Sequence, residues 1–220
     1  DSNIAKKLDF YPIIPYAQGL QMKLSQGGVM GTKKEIIKAG SIKKDLKILA
    51  KGGFSFMKKD FIELFKIFID VELIKLQNTK PKMIYLHPVL TDLALAFNLK
   101  NVFETFQNHL HDNYQIKSGV CTKNFPQLIS KFEEWEMNYD SIMTSFNKSG
   151  YLMNPSREEC EKCLENYNGY VLAMNLFAGG LYSLDETAKY VESLPKIKNI
   201  VIGLSSTKHA KETFDRFTNK

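Results

Sequence analysis

The sequence predicts an α/β fold on a parallel sheet, either a (β/α) barrel or an open doubly wound sheet. Three observations predict it. Short apolar runs recur along the 220 residues. Most are nearly continuous rather than alternating, the pattern of strands buried on both faces. Each run from Met83 onward is followed by an amphipathic stretch, and strand–helix alternation implies right-handed βαβ crossovers. From Met83 the repeat is regular at roughly 25 to 33 residues, a span that suits one βα unit in either architecture.

In chain order, the first strand is expected at Phe10–Ala17. The rhythm then breaks. Gly27, Gly28 and Gly31 and two basic helical stretches fill the gap before Met83, so a basic helical insertion is expected at about 24–60 within one domain spanning 1–220. The segment Lys58–Leu76 has a helical period. Lys59, Glu63, Lys66 and Asp70 form a polar stripe, and Phe61, Leu64, Phe65, Phe68 and Leu73 face elsewhere. The remaining strands are expected at Met83–His87, Gln115–Thr122, Ser141–Asn147, Tyr170–Phe177 and Asn199–Ser205. Ser156 with Glu159, and Ser183 with Glu186, have capping-box spacing and mark two helix starts.

Composition narrows the function classes. Hydrophobic residues make up 44% and charged residues 25%, which excludes a disordered or collagen-like chain. No apolar run reaches membrane-span length and no signal peptide is evident. Three cysteines cannot all pair, and their low density predicts a reducing, cytoplasmic setting. The net charge of +6 falls entirely between Gly31 and Lys66, where ten lysines face Glu35, Asp45, Asp60 and Glu63. That segment has no arginine, and its aromatics have core spacing, so nucleic acid is not the expected partner.

The ends of the strands carry the chemistry. Polar residues close otherwise apolar runs: Tyr16 and Gln18; His87; Cys121, Thr122, Lys123 and Asn124; Ser145, Asn147 and Lys148; Asn175; Ser205 and Ser206. Buried polar groups need partners, so these satisfy one another or meet a small-molecule ligand. His87 is a structural hydrogen-bonder or a proton-transfer residue. Gly179-Gly180 and Gly203-Leu-Ser205-Ser206 follow the last two strands, and Lys208 and Lys211 lie in the next helical turns. Glycine turns and a helix start suit a phosphorylated ligand, although Ser205 and Ser206 also read as turn and N-cap residues. Cys160 and Cys163 lie on a helix with no second Cys/His pair at finger spacing, so no metal centre is expected. His109 and His111 are read as surface residues.

Four stretches resemble the aldo-keto reductases. Gln115–Phe125 (QIKSGVCTKNF) is similar to that family's fifth strand, with its Gly-Val-Ser pattern. Ile69–His87 resembles a helix leading into the strand that ends in the catalytic histidine. Tyr170–Gly180 (YVLAMNLFAGG) resembles the seventh strand, and Ile200–Glu212 (IVIGLSSTKHAKE) the eighth strand and the adenosine-phosphate helix. The resemblance implies a TIM-barrel-like fold with six recognisable strands of eight, and NADPH as cofactor for reducing a small carbonyl compound. His87 would orient the substrate carbonyl, and Tyr16, ending the third strand, is the other candidate catalytic residue. Cys121 and Thr122 would hold the nicotinamide amide, with Asn124, Asn147, Asn175, Gly179 and Gly180 along the same rim. Ser205, Ser206, Lys208 and Glu212 would lie near the adenosine end.

The chain also departs from the family pattern. The family's aspartate and tyrosine follow its second strand, and this sequence starts beyond that point, with Ser2–Leu8 resembling the helix after it. A preceding segment of two βα units is therefore expected. The third strand ends Pro15-Tyr16-Ala17-Gln18 where the family has lysine, and Lys23 is out of register. Cys121 replaces the strand serine, and Thr213 stands where asparagine follows the eighth-strand glutamate. The alternative is a non-reductase enzyme or binding protein on the same barrel, taking a phosphorylated or anionic small molecule at the last two strand ends.

Overall fold

A computed structural model describes residues 9–15 and 61–218. Tyr16, Lys23, Ser2–Leu8 and the basic insertion expected at 24–60 lie outside the described residues. Six strands form one parallel sheet in strict chain order. A doubly wound sheet reverses its strand order at a switch point, whereas a (β/α) barrel adds each strand beside the last. The unbroken order is therefore barrel connectivity. The chain divides into two compact units, one ending at Gly119 and the other starting at Val120.

In the first unit, β1 (Ile13–Ile14) pairs in parallel with β2 (Met83–Leu86), matching Ile13 to Tyr85 and Ile14 to Leu86. Helix α1 (Phe61–Lys75) leads into β2, followed by α2 (Pro88–Ala96) and α3 (Lys100–Tyr114). Helix α3 buries Val102, Phe103, Phe106 and Leu110 along one stripe, and Phe106 meets Phe65 of α1 with ring centres 6.5 Å apart. Ile69, Ile84, Leu86, Phe103 and Phe106 have no exposed surface and form this unit's core.

The sequence reads Asp70 as part of a polar stripe and His109 as a surface residue, yet their side chains are only 14% and 9% exposed. His109 Nε2 lies 2.6 Å from Asp70 Oδ1, and the Tyr114 hydroxyl donates to the same oxygen at 2.6 Å. The periodicity of α1 alone could not place Asp70 against α3, because its partners lie 39 and 44 residues away. Burial, then the Asp70 hydrogen bond, pushes the Tyr114 phenol well above its ordinary value. His111 is exposed, as expected.

β3 (Lys117–Thr122) runs across the boundary into the second unit. There follow α4 (Phe125–Glu134), β4 (Ser141–Ser145), α5 (Arg157–Asn166), β5 (Val171–Met174), α6 (Leu184–Glu192), β6 (Asn199–Ile200) and α7 (Thr207–Thr218). Every residue of β4 is buried, as a two-faced parallel strand requires. β4 pairs with β5 from Ile142–Val171 to Ser145–Met174, and β5 pairs with β6 through Leu172–Asn199 and Ala173–Ile200. Phe125 anchors the core, edge-on to Phe146 and Tyr167 at 6.1 and 5.6 Å.

The last strand is much shorter than the Asn199–Ser205 expected. β6 is the final strand in the sheet order, and past the Val201 N–H bond to Ala173 the chain leaves the ladder. Val201 and Leu204 are 38% and 44% exposed, and Gly203 has no side chain to bury, so among the described residues this apolar run has no second layer to hold it flat. The capping predictions hold. The Ser156 hydroxyl accepts from Glu159 N–H, and Ser183 with Glu186 forms a reciprocal capping box.

Cys160 and Cys163 lie on α5 as free thiols. Cys160 Sγ donates to the Asn154 carbonyl at 3.4 Å. Burial, then neighbouring Cys163, pushes Cys160 from 9.0 up to about 12, and burial, then Glu133, pushes Cys163 up to about 11. A folded pKa above the unfolded value means stability is intact below pH 9.0 and drains as pH rises through the folded value. The urea midpoint should therefore fall between pH 9 and 11, and the C160A/C163A variant should show a shallower fall over that interval.

Candidate functional site

Adjacent parallel strands end at the same edge, so the carboxyl ends of β3 to β6 in the second unit form one rim. Thr122 is fully buried and its hydroxyl accepts from Asn124 N–H at 2.9 Å. Asn124 caps α4, accepting from Gln127 N–H at 3.4 Å and donating to Gln127 Oε1 at 2.7 Å. Cys121 is also fully buried. Cys121 and Thr122 thus lie inside the sheet and shape its rim from below.

Asn147 follows β4 with no exposed surface. Its Oδ1 accepts from Ser149 Oγ at 3.0 Å and Tyr151 N–H at 2.8 Å, and its Nδ2 donates to the Tyr151 carbonyl at 2.8 Å. This amide frames its own loop. Asn175 follows β5 in the left-handed region at φ 57° and is exposed. Its Nδ2 donates to Ser145 Oγ at 2.8 Å, joining the ends of β4 and β5. That bond fixes which end of the Asn175 amide is spent and orients Oδ1 as the acceptor that remains.

Gly179 and Gly180 lie in the turn after β5 at φ 75° and 94°, where other residues are strained. A Cβ at either position would meet nothing within 4 Å, so backbone conformation, not crowding, calls for glycine here. Ser205 and Ser206 are exposed at the start of α7. Ser205 Oγ lies 2.8 Å from His209 Nδ1, and Ser206 Oγ accepts from His209 N–H at 3.2 Å. Ser206 is thus an N-cap that takes up one of the first-turn N–H groups. Lys208 is 83% exposed and lies 3.9 Å from Glu212, a long surface ion pair.

In the first unit, His87 follows β2 and caps α2. Its N–H donates to the Ile14 carbonyl at 2.8 Å, and its Nδ1 accepts from Val89 N–H at 3.2 Å. With Nδ1 accepting, the neutral ring carries its proton on Nε2. Tyr16, the other candidate catalytic residue, lies outside the described residues.

One cluster escaped the sequence reading. Lys148 reaches from the β4 turn to the β5–α6 turn, with Nζ 3.5 Å from Glu186 Oε1 and 5.4 Å from the centre of the Tyr182 ring. Nothing in the linear sequence links Lys148 to Tyr182, because only the β4–β5 pairing brings their turns together. Among the described residues, no group of three or more His, Cys, Asp or Glu could hold a metal ion. Among them too, no helix is long and apolar enough to cross a membrane.

No family model and no curated protein matches the chain. Two solved structures from Pseudomonas aeruginosa, each assigned as an aldo-keto reductase, are similar to it. The first has a TM-score of 0.53 at 13% identity, covering 70% of this chain and 58% of that one. The second has a TM-score of 0.55 at 13% identity, covering 72% and 57%. The chain therefore spans less than two thirds of the length of the structures it matches. At this identity the likeness is one of architecture, and it agrees with the strand order: the chain has an aldo-keto-reductase-like fold.

Proposed function

We propose that this chain belongs to an NADPH-dependent reductase of a small carbonyl compound and holds the cofactor along the rim of its second unit. The observation that carries this reading is the Asn175–Ser145 hydrogen bond, which presets an exposed amide at the carboxyl rim of an aldo-keto-reductase-like sheet. Asn175 Oδ1 would accept from the carboxamide of the nicotinamide, above a floor shaped by Cys121 and Thr122. The residues at the other end also suit the cofactor. The α7 N-terminus, with the exposed Ser205, Ser206 and Lys208, would offer hydroxyls, helix-end polarity and positive charge to a phosphate. When bound, NADPH supplies the hydride. In the first unit His87, with Nδ1 engaged by Val89, would offer its Nε2 proton to a carbonyl oxygen.

Thermal unfolding of the whole chain with added ligand tests this. A ligand at a hundredfold its Kd stabilises the folded state by about 2.7 kcal/mol, which for a chain of this size raises Tm by roughly 5–10 °C. NADPH should produce such a rise, well beyond that from inorganic phosphate. No rise with any dinucleotide, beside a rise with sugar phosphates, would replace this reading with a binder of phosphorylated small molecules on the same fold.

A further inference from the structure

Helix α2 turns an apolar face to solvent. Its inner side is ordinary, with Thr91, Ala94 and Leu95 buried. On the opposite side Val89, Leu93 and Phe97 are 53%, 50% and 68% exposed, and Ala96 and Leu99 beside them are exposed as well. Residues four apart share one helix face, so the three larger side chains form a single ridge about 12 Å long. A surface helix ordinarily sets charged or polar residues there. The one charged residue in α2 is Asp92, and Lys100 just beyond it is paired with Glu104 at 3.3 Å. The helix therefore lacks the lysine- and arginine-rich polar face that holds an amphipathic helix on an anionic membrane.

The ridge is complementary to itself. Leu93 is its midpoint, four residues from the small Val89 and four from the large Phe97. Turned about a two-fold axis at Leu93, a second α2 sets its own Leu93 against the first and pairs Val89 with Phe97 at both ends, small against large. The area also suits this pairing. By those exposed fractions the ridge, with Ala96 and Leu99, offers on the order of 400 Å² of apolar surface. A standard-size interface takes about 800 Å² from each partner, a little over half of it non-polar. We propose that two copies of this chain pair through α2, antiparallel across a two-fold axis at Leu93. Such a pair closes on itself, because each copy offers and receives the same patch. The inference is independent of any cofactor.

Sedimentation velocity of the full chain, over a concentration series from about 1 to 200 µM, tests this in wild type, L93E, V89E, F97K and V89E/F97K. The wild-type chain should pass from monomer to dimer with a Kd on the order of 10 µM, as one apolar ridge per copy allows. L93E sets two carboxylates against each other at the axis and should weaken pairing about a hundredfold. Its urea midpoint should stay near wild type, because half of the Leu93 surface is open in the single chain. V89E and F97K should each weaken pairing. The double variant V89E/F97K should regain about tenfold over either, because the new carboxylate of one copy meets the new ammonium of the other. Positions eight apart on one short helix cannot meet each other, and an acid near the start and a base near the end both suit the helix dipole, so this comparison holds even if L93E unfolds. A wild-type chain that stays monomeric throughout overturns the inference, whether or not it binds vesicles of anionic phospholipid. A dimer that folded L93E leaves unchanged overturns it too, by placing the contact elsewhere. A double variant that pairs no more tightly than either single one overturns the antiparallel register.

Discussion

Replacing His87 with asparagine is expected to lower NADPH-dependent reduction of an activated aldehyde by about 10²–10⁴-fold, the usual share of one positioned proton donor, while the protein stays folded. The choice of asparagine matters. His87 is the N-cap of α2, accepting from Val89 N–H, so alanine would remove a cap worth about 1 kcal/mol together with any chemistry. Asparagine is a good N-cap, and Pro88 already sets the first helical turn, so H87N keeps the helix start and deletes only the imidazole. The urea midpoint of H87N should then stay near that of wild type, and H87A should unfold earlier. An H87N variant that reduces aldehyde at the wild-type rate would make this histidine a cap and nothing more. Loss of stability in H87N equal to the loss in H87A would assign it to packing.

The sequence made the fold legible because its information is local. Six apolar runs, each a few residues long and separated by helical stretches, locate the strands without knowledge of their neighbours. Ser156 and Ser183 announce their helices within four residues. What stayed hidden depends on contacts far along the chain. Asp70 looked solvated on its own helix because its two partners lie on α3. The run after Asn199 looks like a full strand because composition does not record that, among the described residues, β6 pairs with β5 alone. The sequence shows polar residues at the strand ends, but not how those residues divide their work. Asn147 and Asn175 look alike in sequence, each a residue after a strand, yet one is sealed inside its own loop and the other is exposed.

That difference gives Asn147 the larger effect on stability. Asn147→Ala should cost about 3 kcal/mol, read as a drop in urea midpoint, because it removes the acceptor of Tyr151 N–H and the donor to the Tyr151 carbonyl together. The Ser149 hydroxyl loses its partner as well. Alanine supplies neither group, and the site has no exposed surface through which water could replace them cheaply. Aspartate keeps the acceptor but has no donor, and it puts a buried charge against the Tyr151 carbonyl, so N147D should do no better near neutral pH. An N147A variant as stable as wild type would mean that the three hydrogen bonds only decorate a loop held by something else.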